Sequence, residues 1–305
     1  MRRDIAIAAV TITVLLASGC GIQEKKENAE RIRDSIERLA SRGTANAQLT
    51  FSLSVIDAPR TAGGASVLGL QQVREGARTQ EVSSPLAVDY PRKLVQASLP
   101  AAAPDQAPVP YQVFSGDVFY QRRLNQSGEG STGGRPWVML DFGAQYDDRE
   151  NKEGQGFGSQ ALNPAWLIDL VGGALMGSVE ELGTETVRDV PTTHYRVNFS
   201  WDDAFEDTDD DEREGFLAAA AMMGIPEKVV KGEVWLDADG LPRRIRANVR
   251  QQRDRNEVIE LHYTLELFAF GADAAITIPE GDDVSEVDNL GGIMQATNPL
   301  GDLGP

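Results

Sequence analysis

Lys231-Gly232-Glu233-Val234-Trp235-Leu236-Asp237-Ala238-Asp239-Gly240-Leu241-Pro242-Arg243-Arg244-Ile245-Arg246-Ala247-Asn248-Val249-Arg250 reads as two strands around a turn. Lys231 to Leu236 has the composition of a strand. Asp237-Ala238-Asp239-Gly240 then brings together aspartates that hydrogen-bond their own backbone and a glycine free to take left-handed conformations. In the return strand, Leu241 to Gln252, Ile245, Ala247 and Val249 alternate with Arg244, Arg246, Asn248 and Arg250. A period of two with one apolar and one charged phase belongs to an antiparallel sheet that buries one face and wets the other.

The same alternation recurs on both sides of this hairpin. Val258 to Phe270 sets Ile259, Leu261, Tyr263, Leu265 and Leu267 against Glu260, His262, Thr264 and Glu266. From Gln48, Leu49, Phe51, Leu53 and Val55 alternate with Thr50, Ser52 and Ser54. Glu180 to Trp201 predicts a second hairpin: a strand over Gly183 to Arg188, a turn at Asp189-Val190-Pro191, and a strand over Thr192 to Trp201. Further strand signals lie at Tyr111 to Arg122 and Trp137 to Phe142. Between residues 58 and 110, prolines punctuate short apolar pieces, and only weak strands can be placed.

Helical spacing appears in three places. Ala29, Ile32, Ile36, Leu39 and Ala40 form an apolar stripe over Glu24 to Ser41, ending near Gly43. Asn163 as N-cap and Pro164 at the first helical position open a nearly all-apolar helix that runs through Trp166, Leu170 and Leu175 to Met176. Gly215 to Gly224, with Phe216 and Met222, is the third. Residues 281–305 are rich in glycine and aspartate and read as a loose tail.

The amino terminus decides where the domain resides. Arg2 and Arg3, the apolar run Ile5 to Leu16, and small Ala17, Ser18 and Gly19 lead into Cys20, the only cysteine of the chain. This resembles a bacterial lipobox, with Ala17 where leucine is commoner. The resemblance implies cleavage after residue 19, a diacylglyceryl group on the Cys20 sulfur and acylation of the new amino terminus. Residues 20–23 then form an anchor and short linker, 24–280 the domain and 281–305 the tail. The apolar run is too short to span a bilayer, whereas two or three acyl chains hold firmly at about 0.8 kcal/mol per buried methylene. The expected location is the cell membrane, lipid-anchored, on its extracytoplasmic face.

Composition narrows the classes further. A single cysteine leaves no intramolecular disulfide, so the domain must be stabilised by its core. With 29 basic and 47 acidic residues the formal charge is −18. Losing Arg2, Arg3 and Asp4 with the signal leaves 27 against 46, or −19. Such a field repels nucleic acid and anionic surfaces.

The order of elements behind the lipobox is a helix, antiparallel strands, an apolar helix, a hairpin, another apolar helix and three closing strands. Leu162-Asn163-Pro164 with its helix, Val187-Arg188-Asp189-Val190-Pro191-Thr192-Thr193-His194-Tyr195, and Gly232 to Arg244 resemble the LppX/LprG family of actinobacterial lipoproteins, whose fold is similar to that of the Lol lipoprotein carriers. The resemblance implies an α+β domain, a strongly curved antiparallel half-barrel wrapped around helices. It also implies an apolar cavity that takes acyl chains of lipids or lipoglycans in several members.

On that reading the cavity lining is Leu49, Phe51, Leu53, Val55, Trp166, Leu170, Leu175, Tyr195, Val197, Phe199, Phe216, Met222, Leu261, Tyr263 and Leu265. The competing reading is a filled core, since protein interiors pack to crystal density. In that case the molecule is a tethered scaffold or sensor, offering its acidic loop to a protein partner.

The acidic run Asp202, Asp203, Glu206, Asp207, Asp209, Asp210, Asp211, Glu212 and Glu214 lacks the ligand alternation and turn glycine of a calcium loop, and reads as a solvated loop. Asp237, Asp239 and Gly240 sit between two strands and read as a turn. Gly154, Gly156 and Gly158 have the wrong spacing for a dinucleotide site. No metal or cofactor is expected. His194 and His262, the only histidines, fall on the polar phase of strands with no serine elbow or zinc pair beside them, so no enzyme activity is expected.

Overall fold

A computed structural model describes residues 4–56, 79–99, 108–116, 118–124, 135–141, 163–206, 229–252, 258–288 and 292–293. The helical stretch expected at Gly215 to Gly224, the acidic run after Glu206 and the glycines at 154, 156 and 158 lie outside these.

Helix α1 spans Asp4–Arg42. Over its second half, Asn28, Ala29, Ile32, Ser35 and Leu39 are buried, the three-and-four spacing of one helix face. Strands β1 (Thr44–Ile56), β2 (Thr79–Asp89), β3 (Leu94–Leu99), β4 (Val109–Ser115), β5 (Val118–Arg122) and β6 (Trp137–Asp141) follow. Then come α2 (Trp166–Gly172), β7 (Glu180–Val187), β8 (Val190–Ser200), the short α3 (Trp201–Ala204), β9 (Val229–Leu236), β10 (Pro242–Gln252), β11 (Val258–Phe268) and β12 (Val284–Glu286). Among the described residues no helix is long and apolar enough to cross a membrane.

Among the described residues, the twelve strands form one open sheet in the order β12-β6-β5-β4-β3-β2-β1-β11-β10-β9-β8-β7. Every pairing is antiparallel except β12 with β6, which is parallel. Closing strand β11 pairs with opening strand β1 in an eleven-residue register from Asn46↔Phe268 to Ile56↔Val258. The sheet curls around the helices as an α+β half-barrel, and a single core cluster joins α1 and α2 to strands from both halves.

The β9–β10 hairpin turns where the sequence places it. Asp237 Oδ1 accepts from the amides of Asp239 and Leu241, at 2.9 and 3.0 Å, and Oδ2 accepts from Arg243 Nε at 2.6 Å. Both carboxylate oxygens are thus spent on the turn. Inside the sheet, Gly232 lies under the Phe199 ring, and a Cβ there would collide with the ring and with the Arg246 carbonyl. Only glycine permits that approach.

Three expectations change. The apolar helix is one short element that stops at Gly172, because the chain turns at Gly173 to join the sheet: Ala174 bridges Phe199 and the Leu175 amide donates to Asn198 O at 2.9 Å. Asn163 acts ahead of the helix, its Oδ1 accepting from the Ala165 amide at 3.0 Å. The β7–β8 turn is Arg188-Asp189, both with positive φ (46° and 65°), the primed geometry that matches strand twist. Pro191 lies inside β8 opposite Thr186. The tail is in part structure: Val284–Glu286 runs beside β6, and Ile293 is buried in the core. A three-residue parallel strand held by backbone bonds carries no period for a sequence to show.

Candidate functional site

The inner face of β2, β1, β11 and β10 is a set of rows fixed by register. One row is Val82–Phe51–Tyr263–Ala247, and the next is Leu53–Leu261–Val249. Burial along these strands falls toward one end. On β1, Ala45 and Ala47 are buried while Leu49, Phe51 and Leu53 are half-buried. On β2, Leu86 and Val88 are buried, Ser84 is half-buried and Val82 is 36% exposed. On β11 exposure rises from 1% at Leu267 and Leu265 to 4% at Tyr263 and 6% at Leu261. The gradient has the same direction on neighbouring strands, so it belongs to the face and not to one strand's fraying.

A row of aromatic rings crosses this region from the sheet into the helices. Phe51 and Tyr263 have centroids 4.9 Å apart, and Trp166 of α2 meets Tyr263 edge-on at 5.2 Å. Trp166 tilts against Trp201 of α3 at 5.4 Å, and Trp201 stacks with Phe205 at 6.1 Å. Offset and edge contacts of this kind add about 0.5–1.5 kcal/mol each beyond area burial. They give the face a rigid floor.

Polar ties hold the helices over it. Tyr90, in the β2–β3 turn, donates to Asp169 Oδ1 of α2 at 3.1 Å. Burial, reinforced by the Asp169 carboxylate, pushes the Tyr90 phenol far up, so it stays a donor. From α1, Arg31 donates to Tyr195 Oη at 3.1 Å and Arg33 to the Ala174 carbonyl at 2.9 Å. On the inner face itself, Tyr111 Oη and Ser84 Oγ lie 3.5 Å apart.

The predicted lining divides. Leu49, Phe51 and Leu53 are half-buried on the open part of the face, and Trp166, Leu261, Tyr263 and Leu265 are buried beside them. Leu170, Tyr195, Val197 and Phe199 are 0% exposed, so they touch no solvent-sized space and belong to the packed core. Leu175 is half-buried in the turn after α2. Val55 is described only in its backbone, and Phe216 and Met222 lie outside the described residues. Val82, Ser84, Tyr111, Trp201 and Phe205 were not predicted. For Val82 and Ser84 the signal was present as the alternation Val82, Ser84, Leu86, Val88, interrupted by Pro85.

The outer face carries the charged phase. His194 stacks on Trp235 with centroids 4.0 Å apart. Its Nδ1 lies 2.9 Å from Glu185 Oε1, while Trp235 Nε1 donates to Glu185 Oε2 at 2.9 Å. That indole bond, followed by the nearby His194, holds the Glu185 carboxyl below its ordinary range. Arg244 and Arg246 flank the same indole at 5.2 and 5.3 Å, and pair with Glu266 and Glu233 at 2.6 and 2.9 Å. His262 Nδ1 lies 2.8 Å from Asn248 Oδ1. These are cross-strand pairs that lace a wet sheet face together. Among the described residues no group of three or more His, Cys, Asp or Glu side chains could hold a metal ion.

No family model matches the chain. No curated protein matches it. Among solved structures, the chain is similar to the lipoprotein LppX of Mycobacterium tuberculosis, at 12% identity over 83% of this chain and 98% of that one, with a TM-score of 0.36. It is likewise similar to LprF of Mycobacterium bovis, at 12% identity over 83% of this chain and 96% of that one, with a TM-score of 0.37.

Proposed function

We propose that the protein is a cell-envelope lipoprotein, anchored through Cys20 on the extracytoplasmic side, whose inner sheet face takes the acyl chains of a lipid or lipoglycan without covalent chemistry. The observation that carries this reading is the gradient of burial. Leu49, Phe51, Leu53 and Val82 are large apolar side chains on the concave, helix-facing side, yet they are less buried than the alanines and leucines of the same strands. A filled core buries its largest side chains most completely. A face that receives a guest leaves them short of cover, and the guest supplies the missing contact at about 25 cal/mol per Å² of apolar area.

Two experiments test the two halves. Radiolabelled palmitate fed to the producing cells labels the wild-type chain and not Cys20→Ser; equal labelling of both contradicts the anchor. A diacylglycerol with a pyrene-labelled chain gains fluorescence on titration with the full chain in detergent below its micellar concentration. An unchanged signal, with the protein folded by circular dichroism, contradicts acyl binding and favours the tethered scaffold with a protein partner at the acidic loop.

A further inference from the structure

The direction of α1 relative to the sheet follows from its polar ties. β9 leads from Val229 to the turn at Asp237–Gly240. Arg38 Nη1 donates to the Asp239 carbonyl at 3.3 Å and Arg42 pairs with the Asp239 carboxylate at 3.4 Å, so the end of α1 lies at that turn. Earlier in the helix, Arg33 donates to the Ala174 carbonyl at 2.9 Å and pairs with Asp203 at 3.5 Å. Ala174 bridges Phe199, which faces Val230, and Asp203 follows Ser200, which faces Val229. α1 therefore runs in the same direction as β9, and its amino-terminal part continues past the Val229 end. Antiparallel registers make this the end where β1 finishes and β2 begins, beside Leu53 and Val82.

That extension is a stalk and not a loose linker. Residues 23–27 are exposed, and the first buried side chains are Asn28 and Ala29. Gln23 bonds Glu27 at 2.9 Å and Lys26 pairs with Glu30 at 3.8 Å, contacts of the kind that support a helix in water. The helix backbone is continuous through residue 20, and the rise from Cys20 to Asn28 is about 12 Å.

Exposed apolar side chains gather at the same end. Among the described residues, the large ones are Val82, Val109, Met176, Leu182 and Val229. Val229 opens β9, Met176 follows Leu175, whose amide bonds Asn198 O, and Val82 lies near the start of β2. Val109 opens β4, whose other end, Ser115, faces Leu94 at the Asp89–Leu94 turn. Only Leu182 sits midway. Exposed apolar residues scattered singly need no explanation, whereas a group on one end of a domain marks a contact surface.

Resting on the Cys20 anchor proposed above, we infer that this end of the sheet docks on the bilayer that holds the anchor. The helical stalk sets the distance and the orientation, and Val82, Val109, Met176 and Val229 meet the lipid interface. The opposite end, with the turns at Asp89–Leu94, Arg188-Asp189 and Asp237–Gly240, points away from the membrane.

The test places one thiol-reactive bimane at a time on the full lipidated chain in phosphatidylcholine vesicles with nitroxide headgroups. Cys20 is the only cysteine and its sulfur is taken by the anchor, so an introduced cysteine is the sole reactive thiol. Val229→Cys and Val109→Cys, on distant strands of one end, lose most of their fluorescence. Arg92→Cys, in the Asp89–Leu94 turn, loses none. Equal quenching at both ends, stronger quenching at Arg92→Cys, or none anywhere on chains that float with the vesicles overturns the inference. Chains that do not float contradict the anchor itself. A readout with no change in the domain guards against a misfolded variant: peroxide oxidises Met176 several times more slowly on vesicles than in the unacylated Cys20→Ser chain. Equal rates also overturn the inference.

Discussion

Val82→Thr separates binding from stability most sharply. Val82 is 36% exposed and pairs with Phe51 across β1 and β2, so threonine keeps its shape and its fit to a strand. In the empty protein the new hydroxyl faces solvent, and the change in folding free energy stays within about 0.5 kcal/mol, as for other exposed positions. With an acyl chain lying on the face the terms differ. One lost methyl contact removes about 0.8 kcal/mol, and covering a hydroxyl with hydrocarbon costs about 1 kcal/mol more. Together these are about 1.8 kcal/mol, or roughly twentyfold in Kd. The assay is titration with pyrene-labelled diacylglycerol, with urea unfolding of the same preparations as control. A Kd within twofold of wild type, in a variant of unchanged stability, refutes the placement of the ligand over β2.

Phe199→Ala behaves in the opposite way. The ring is 0% exposed, so truncation costs about 3–5 kcal/mol in urea unfolding while the folded fraction keeps its ligand affinity. Gly232→Ala drives a methyl into that same ring and the Arg246 carbonyl and destabilises by about 1–3 kcal/mol or more, read as a lower thermal midpoint. The Glu185 carboxyl has a lowered pKa in the fold, so its contribution is present above the ordinary carboxylate range and lost as pH falls through the lower folded value. Glu185→Gln therefore flattens the acid limb of stability against pH. Tyr90, Tyr111 and Tyr263 have raised values, so folded chain binds more protons than unfolded chain once free phenols ionise near pH 10. Stability is complete below that pH and falls above it, less steeply in Tyr263→Phe.

The strands that were easiest to read were those whose two faces differ in polarity. β1, β8, β10 and β11 alternate cleanly because their outer residues, such as Arg244, Arg246 and Glu266, meet water and each other. β2 was hidden by Pro85, which falls where β3 has not yet begun to pair, so its missing amide costs the sheet nothing on that side. Pro110 likewise sits opposite the register shift at Ala97 and Ser98. Trp235 is a different kind of blind spot. Its position marks it as outward-facing, yet it is 2% exposed, covered by His194 and two arginines from neighbouring strands. Cover supplied by other elements has no trace in local period.

The same reason limited the site. Phase along a strand says which face a residue takes, and it placed Phe51, Phe199, Tyr263 and Leu265 correctly on the inner one. It says nothing about how far along the strand the packing extends. Phe199 and Phe51 both fall on the inner phase and share a residue type, but the first is fully buried over Gly232 and the second only half-buried.

Native mass spectrometry of the full chain, released from its own membrane in mild detergent, tests the central claim most directly. Acyl binding predicts a discrete adduct of lipid mass beyond the anchor itself, lost in Leu53→Glu while that variant stays folded. A bare mass for wild type, under conditions in which a known lipid carrier keeps its cargo, contradicts it.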